Sequence, residues 1–205
     1  FESDQEEINY YLGRFYLRVE NTAKSLKYFK KFLKYSYNEE KKKEVREAIK
    51  IINNQGLADD DYQTALSLYH SEKYEDALHF LDKFLANYPQ SWDGMLLKSV
   101  IFNKTLRSLQ ALPILQMCLD LSPANAEILQ ELALAHQNLH DYPKARFYYE
   151  KALSLRCEDT DIMLRLAEIS LLENKTDEAK RFCAVVKEFD PENQRLKNIL
   201  KKIFS

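Results

Sequence analysis

Glycine and proline are scarce here, three and five residues in a chain of 205. Gly13, Gly56 and Gly94 stand far apart, so no glycine-rich loop is available to cradle a phosphate. With so few turn formers little of the chain can be loop, and strand runs bounded by turn clusters are missing. Cysteine is nearly as rare. Cys118, Cys157 and Cys183 are odd in number and unpatterned in spacing, which argues against a disulfide framework. They read as small buried thiols and fit a reducing compartment, which points to the cytoplasm. No apolar run approaches the roughly 18 residues of a membrane span, and no signal-peptide pattern opens the sequence. The net charge of -2 gives no argument for nucleic acid or for an anionic membrane surface.

What is present is a helical composition, with 45% hydrophobic and 30% charged residues. Ala126 to Asp159, AEILQELALAHQNLHDYPKARFYYEKALSLRCED, holds two helical patterns separated by one short turn. Ala133 and Ala145 are the small residues where the two helices must approach. Leu129, Leu132, His136, Tyr142, Tyr149, Ala152 and Leu153 fall at helical spacing around them. The pattern returns every 34 residues: Ala77, Ala111, Ala145 and Ala179 form one column. Ala65, Ser99, Ala133 and Ala167 form a second, and Pro89, Pro123, Cys157 and Pro191 a third.

A helix–turn–helix period of this length resembles the tetratricopeptide repeat. The resemblance implies an all-α, right-handed α-solenoid whose units stack on their neighbours. Five repeats are expected, over 6–39, 58–91, 92–125, 126–159 and 160–193. The first is divergent, with Gly13 and Ser25 in the small-residue columns. Eighteen residues, Glu40 to Leu57, are inserted before the second. There Val45, Ala48, Ile49 and Ile52 make an apolar stripe opposite Lys41, Lys42, Lys43, Arg46 and Lys50, and Asn53, Asn54 and Gly56 form a stop. This predicts one added amphipathic helix, either extending the solenoid or lying across a face of it. Asp59, Asp60 and Asp61 mark the next helix start. Pro113 and Pro143 are expected in first helical turns, where proline is tolerated. Over 194–205, Leu196, Ile199, Leu200, Ile203 and Phe204 oppose Arg195, Lys197, Lys201 and Lys202 and predict a capping helix.

Catalysis finds little support. His136 and His140 are four apart, but no Glu stands between them as a metalloprotease motif requires. His136 shares its column with Tyr16, Leu68, Phe102 and Ser170, a position for packing between helices. Acidic residues follow helix faces and starts, and no nucleophile–base set is visible. The chain is read as a non-enzyme without metal or cofactor.

In the family that the chain resembles, the first helix of each pair lines a concave groove. Aligning the columns places Tyr10, Arg14, Leu17, Tyr62, Leu66, Tyr69, Leu96, Val100, Asn103, Gln130, Leu134, Gln137, Leu164, Glu168 and Leu171 there. So apolar a surface, if exposed, marks an interaction site. Arg14 and Glu168, near opposite ends, would orient the bound segment. Chaperone-binding members clamp a C-terminal carboxylate with a basic, Asn-rich groove. The matching places here hold Tyr10, Arg14, Gln63, Asp93 and Leu97, and only Arg14 is suited to that task. The resemblance therefore implies an adaptor or scaffold that takes a peptide, helix or protein face, with no membrane insertion in this segment. The alternatives are an envelope-associated assembly protein whose anchor precedes Phe1, since the chain opens without Met, and a regulatory domain of a larger enzyme. Lys24, Lys27, Lys30, Lys31 and Lys34 read as a solvated helix face, with an acidic protein partner as their functional alternative.

Overall fold

The computed structural model describes residues 2–19 and 21–204. Phe1, Glu20 and Ser205 lie outside the described residues, the last of them within the expected cap. Among the described residues there are twelve α-helices and no strand. They fall into two compact units, Phe1–Met95 and Leu96–Ser205. The first holds α1 (Glu2–Arg18), α2 (Thr22–Tyr35), α3 (Glu39–Gln55), α4 (Asp60–His70), α5 (Tyr74–Asn87) and the start of α6 (Trp92–Lys104). The second holds the rest of α6, then α7 (Ser108–Leu121), α8 (Ala126–Asn138), α9 (Tyr142–Leu155), α10 (Thr160–Leu172), α11 (Thr176–Phe189) and α12 (Gln194–Phe204).

One turn joins the two helices of the four pairs α4–α5, α6–α7, α8–α9 and α10–α11. Glu72, Leu106, His140 and Asn174 each adopt a positive φ of 57 to 60°, and they stand one period apart. The following residue donates its N–H five positions back: Lys73 to Leu68, Arg107 to Phe102, Asp141 to His136 and Lys175 to Ser170. This is the hydrogen-bond pattern that closes a helix through one left-handed residue. The small-residue columns lie where the helices meet. Ala77, Ala111, Ala145 and Ala179 are fully buried, as are Ala65, Ser99, Ala133 and Ala167.

In the N-terminal unit Gly13 lets α1 and α2 touch. A Cβ at Gly13 would lie 2.3 Å from the Phe29 ring, and Ser25 Oγ donates to the Gly13 carbonyl at 2.9 Å. The added helix is α3, begun by the Asn38 cap and ended by Gly56 in the left-handed region. It packs into the unit. Val45 and Ile52 are buried with Tyr10, Phe29 and Phe32, and Ala48 and Ile49 pack against that cluster. The Tyr10 hydroxyl donates to Glu44 at 2.7 Å, and Lys41 donates to Glu7 at 2.8 Å. In the α4–α5 pair, Asp59 caps α4 by accepting from the Asp61 N–H, and the ring of Tyr62 lies 5.0 Å from that of Phe84. The third glycine, Gly94, gives Phe84 its room, since a Cβ there would meet that ring at 2.4 Å.

In the C-terminal unit one cluster gathers Leu129, Ala133, Ala145, Tyr149, Ala152, Ile162, Leu166 and Ile169. A second gathers Met163, Leu164, Ala167, Ala179, Cys183 and Val186 with Leu196 and Ile199 of α12. The terminal helix thus covers the last pair. It also begins one period after α10, at Gln194 against Thr160, so it stands in the register of a first helix. Its resemblance to the repeat was hidden because Lys201 occupies the small-residue column. Two other expectations need correction. Pro113 is the sixth residue of α7, beyond the first turn, so the ring removes a helical N–H donor there. Pro143 does sit in the first turn of α9. Cys118 and Cys183 are buried, but Cys157 is exposed, because its column lies in the turn that the exposed Pro89, Pro123 and Pro191 also occupy.

A candidate protein-binding face

The first helices of the C-terminal unit are α6, α8, α10 and α12, and polar side chains bridge each to the next. Asn103 Nδ2 donates to the Glu131 carbonyl at 3.0 Å and to its carboxylate at 2.8 Å, joining α6 to α8. Gln130 Nε2 donates to Asp161 at 3.2 Å, joining α8 to α10. Arg195 of α12 donates to both carboxylate oxygens of Glu168, at 2.8 and 2.5 Å, and to Asp161 at 2.7 Å. A guanidinium gripping one carboxylate with two parallel bonds holds a fixed orientation. Burial pushes the Glu131 carboxyl above the usual range, and the Asn103 bond opposes that rise. Behind this layer, Tyr149 donates to Gln137 Oε1 at 2.9 Å.

Between these bridges Val100, Leu134, Gln137 and Leu171 remain half-buried, as does Arg165, whose Nε donates to Asp161 at 3.4 Å. The face is therefore a row of partly open aliphatic side chains set among polar groups whose orientation is already fixed. Arg195, Asp161, Glu131 and Arg165 belong to it and were not singled out from the sequence. A signal existed: Asp93, Glu127, Asp161 and Arg195 form a charged column one period apart.

Several residues expected to face an open groove do not. Tyr10, Tyr62, Leu66, Leu96, Asn103 and Leu164 are buried. Each first helix has a side that the next element covers, and columns alone do not separate that side from the open one. Tyr10 lies against Phe32 and bonds Glu44 of α3, Asn103 reaches under α8, and Leu164 packs with α12. The two charges expected to orient a ligand are engaged within the chain. Arg14 donates to the Tyr10 hydroxyl at 3.1 Å and lies 3.7 Å from Glu44, while Glu168 is held by Arg195. Leu17 and Tyr69 are half-buried. In the N-terminal unit Arg14, Leu17, Arg18, Phe29, Glu44, Val45 and Ala48 line a cleft of about 270 Å³.

His136 stacks on Tyr148 at 5.6 Å with its Nδ1 3.4 Å from Asp141, and burial lowers its pKa despite the nearby carboxylate. His140 lies in the turn, 3.0 Å from the Tyr142 hydroxyl. Among the described residues no group of His, Cys, Asp and Glu could hold a metal ion, and no helix is long and apolar enough to cross a membrane.

Paired helices of fixed period, closed by one recurring turn and stacked through small residues, define a helical-repeat scaffold. The chain belongs to the tetratricopeptide repeat family. The family model described as the Psidin N-terminal TPR repeats region matches residues 65–168, half of the chain, and the tetratricopeptide repeat model matches 139–203. No curated protein matches the sequence. Solved structures share the fold. MamA from Desulfovibrio magneticus, residues 41 to the end, is 19% identical with a TM-score of 0.61, over 93% of this chain and 98% of that one. A thermophilic TPR protein of Thermus thermophilus is 19% identical with a TM-score of 0.61, over 97% and 98%. YrrB, described as a TPR protein with an unusual peptide-binding site, is 14% identical with a TM-score of 0.62, over 92% and 88%. The fold class is accordingly an α-solenoid of tetratricopeptide repeats, and the coarse role that goes with it is protein interaction.

Proposed function

We propose that this chain is a non-catalytic adaptor, and that it holds a peptide or helix of a partner protein against the first-helix face of its C-terminal unit. The observation that carries the reading is the row of Val100, Leu134 and Leu171. These are half-buried aliphatic side chains on three successive first helices, set among side chains locked by Asn103–Glu131, Gln130–Asp161 and Arg195–Glu168. A surface whose polar groups are already oriented loses little side-chain entropy on binding. The aliphatic row would take apolar side chains of the bound segment, while Gln137 and Arg165 would meet its backbone or its acidic groups. The peptide-binding site in the description of YrrB supports this kind of use for the fold.

The test places a photo-crosslinking amino acid at Leu134 and, separately, at the exposed Phe147 of α9, followed by irradiation in host extract. A partner crosslinked from position 134 and absent from 147 supports the reading. Leu134→Glu should abolish the same capture with an unchanged thermal melt. Crosslinking only from 147, or full capture by Leu134→Glu, would overturn it.

A further inference from the structure

A different surface, in the N-terminal unit, is set apart by its charge. Helix α2, TAKSLKYFKKFLKY, contains five lysines, no arginine and no acidic residue. Lys24, Lys27, Lys30, Lys31 and Lys34 are all exposed. The ion pairs nearby join α1 to α3, as Lys41–Glu7 and Arg14–Glu44, or lie within α3, as Lys42–Glu39. Among the described residues no ion pair takes up a lysine of α2. Like charges three and four apart on a helix repel and destabilise it, and here nothing in the helix offsets them. Lys24, Lys27, Lys31 and Lys34 follow spacings of three, four and three. They make a straight seam about 15 Å long, at roughly 1.5 Å per residue.

Three features select the partner. Tyr16 and Tyr28 stack on each other at 5.4 Å and 4°, and Lys24 and Lys31 stand over these same rings, 5.2 and 5.8 Å from their centroids. The exposed Tyr35 likewise has Lys34 4.9 Å from its centroid, so each tyrosine of α2 already carries a lysine rather than a free ring on which single-stranded nucleic acid would stack. The apolar side of α2 is committed to the core through Phe29 and Phe32, and its exposed positions are the lysines, Ala23 and Tyr35. A bilayer would therefore find no aliphatic wedge to bury. Five lysines and no arginine make a row of compact point charges, which pair with carboxylates without needing a planar fork. The seam instead matches carboxylates repeated at three- and four-residue intervals along a helix.

We propose that the lysine seam of α2 is a docking site for an acidic helical segment, rich in Asp and Glu, of a partner protein. The partner's carboxylates supply the charge complement that the helix itself lacks and relieve the repulsion along α2. This site belongs to the N-terminal unit and the first-helix face to the C-terminal one, so either reading can fail while the other stands.

The probe is a synthetic helical peptide of about 20 residues with Glu along one face at that three-and-four spacing, read by fluorescence anisotropy at low and physiological salt. Its Gln-for-Glu counterpart, vesicles with about 30% phosphatidylserine and an oligouridine RNA form the other arms. The Glu peptide should bind, weaken as salt rises, and outbind the Gln peptide. Lys27→Glu, a charge reversal within the seam, should weaken it roughly tenfold, while Lys27→Arg should keep it. Unlike Lys24, Lys31 and Lys34, Lys27 stands over no tyrosine ring among the described residues, and a carboxylate at position 27 would face Lys31 four residues on, so the reversed variant should keep its thermal melt. Equal binding of the Glu and Gln peptides, unchanged binding after charge reversal, or binding of vesicles or RNA at a salt concentration where the Glu peptide does not bind would each overturn the proposal.

Discussion

Asn103 and Glu131 show what one repeat asks of the next. Asn103 reaches from α6 to α8 and donates to both the backbone and the carboxylate of Glu131, yet its own Oδ1 is buried without a hydrogen-bond partner. Burial raises the Glu131 pKa. A carboxyl whose folded pKa exceeds its unfolded value stabilises the fold fully only below that unfolded value, and the contribution is lost as pH rises through the folded pKa. The contact is therefore weaker where Glu131 carries its charge than where it is protonated. Glu131→Gln removes the charge, keeps an acceptor for Asn103, and adds an amide that can donate to the orphan oxygen. The variant should be more stable at pH 7, by roughly 1 kcal/mol, as read from denaturant melts. Its advantage should shrink as pH falls toward the ordinary glutamate value of 4.5. An advantage independent of pH would show that the charge is not the cause. Neither half of this pair was legible in the sequence. Asn103 fell in a column expected to face an open groove, and Glu131 drew no notice. The alanines were legible, because close helix approach admits no substitute for a small side chain, and all four in the Ala77 column are fully buried.

Among the elements, the helix pairs and their turns could be read from columns alone, since one geometry repeated in register leaves the same residue types at the same offsets. Elements that break the period could be detected but not placed. The stripe Val45, Ala48, Ile49 and Ile52 predicted α3, but an amphipathic stripe says only that one face is buried, not against what. The structure puts Val45 and Ile52 beside Phe29, Phe32 and Tyr10. Deleting residues 40–57 to restore an unbroken period should therefore expose that core and abolish cooperative melting of the N-terminal unit. A milder test is Ile52→Ala, which should cost about 2–5 kcal/mol through the cavity it leaves. Cooperative melting of the deleted protein at the wild-type temperature would mean that α3 only decorates the surface. Helix α12 gives the converse lesson. Its stripe was legible and its covering of the last repeat was expected of a cap, but its packing on Leu164, which the columns had put in the groove, and its grip on Glu168 through Arg195 needed coordinates.

At the scale of the whole molecule, a repeat protein differs from an ordinary globule in how damage spreads. Stability is close to a sum of terms within each repeat and between neighbours, so a local fault stays local. Ala145 is the position from which to see this. It is fully buried among Leu129, Tyr149, Ile162 and Leu166, where α8, α9 and α10 meet. Ala145→Leu adds a branched side chain where packing leaves no room, and such overpacking costs roughly 1–3 kcal/mol. Hydrogen exchange resolved by segment should show faster exchange centred on α8 to α11. Amides of α2 and α3 should keep wild-type protection, because their core of Val45, Ile52, Phe29 and Phe32 includes no residue of those helices. Exchange that quickens equally along the chain would instead mean that it opens as one cooperative body. Confinement of the damage would fit a scaffold that keeps the α2 seam presented while the first-helix face of the other unit is disturbed.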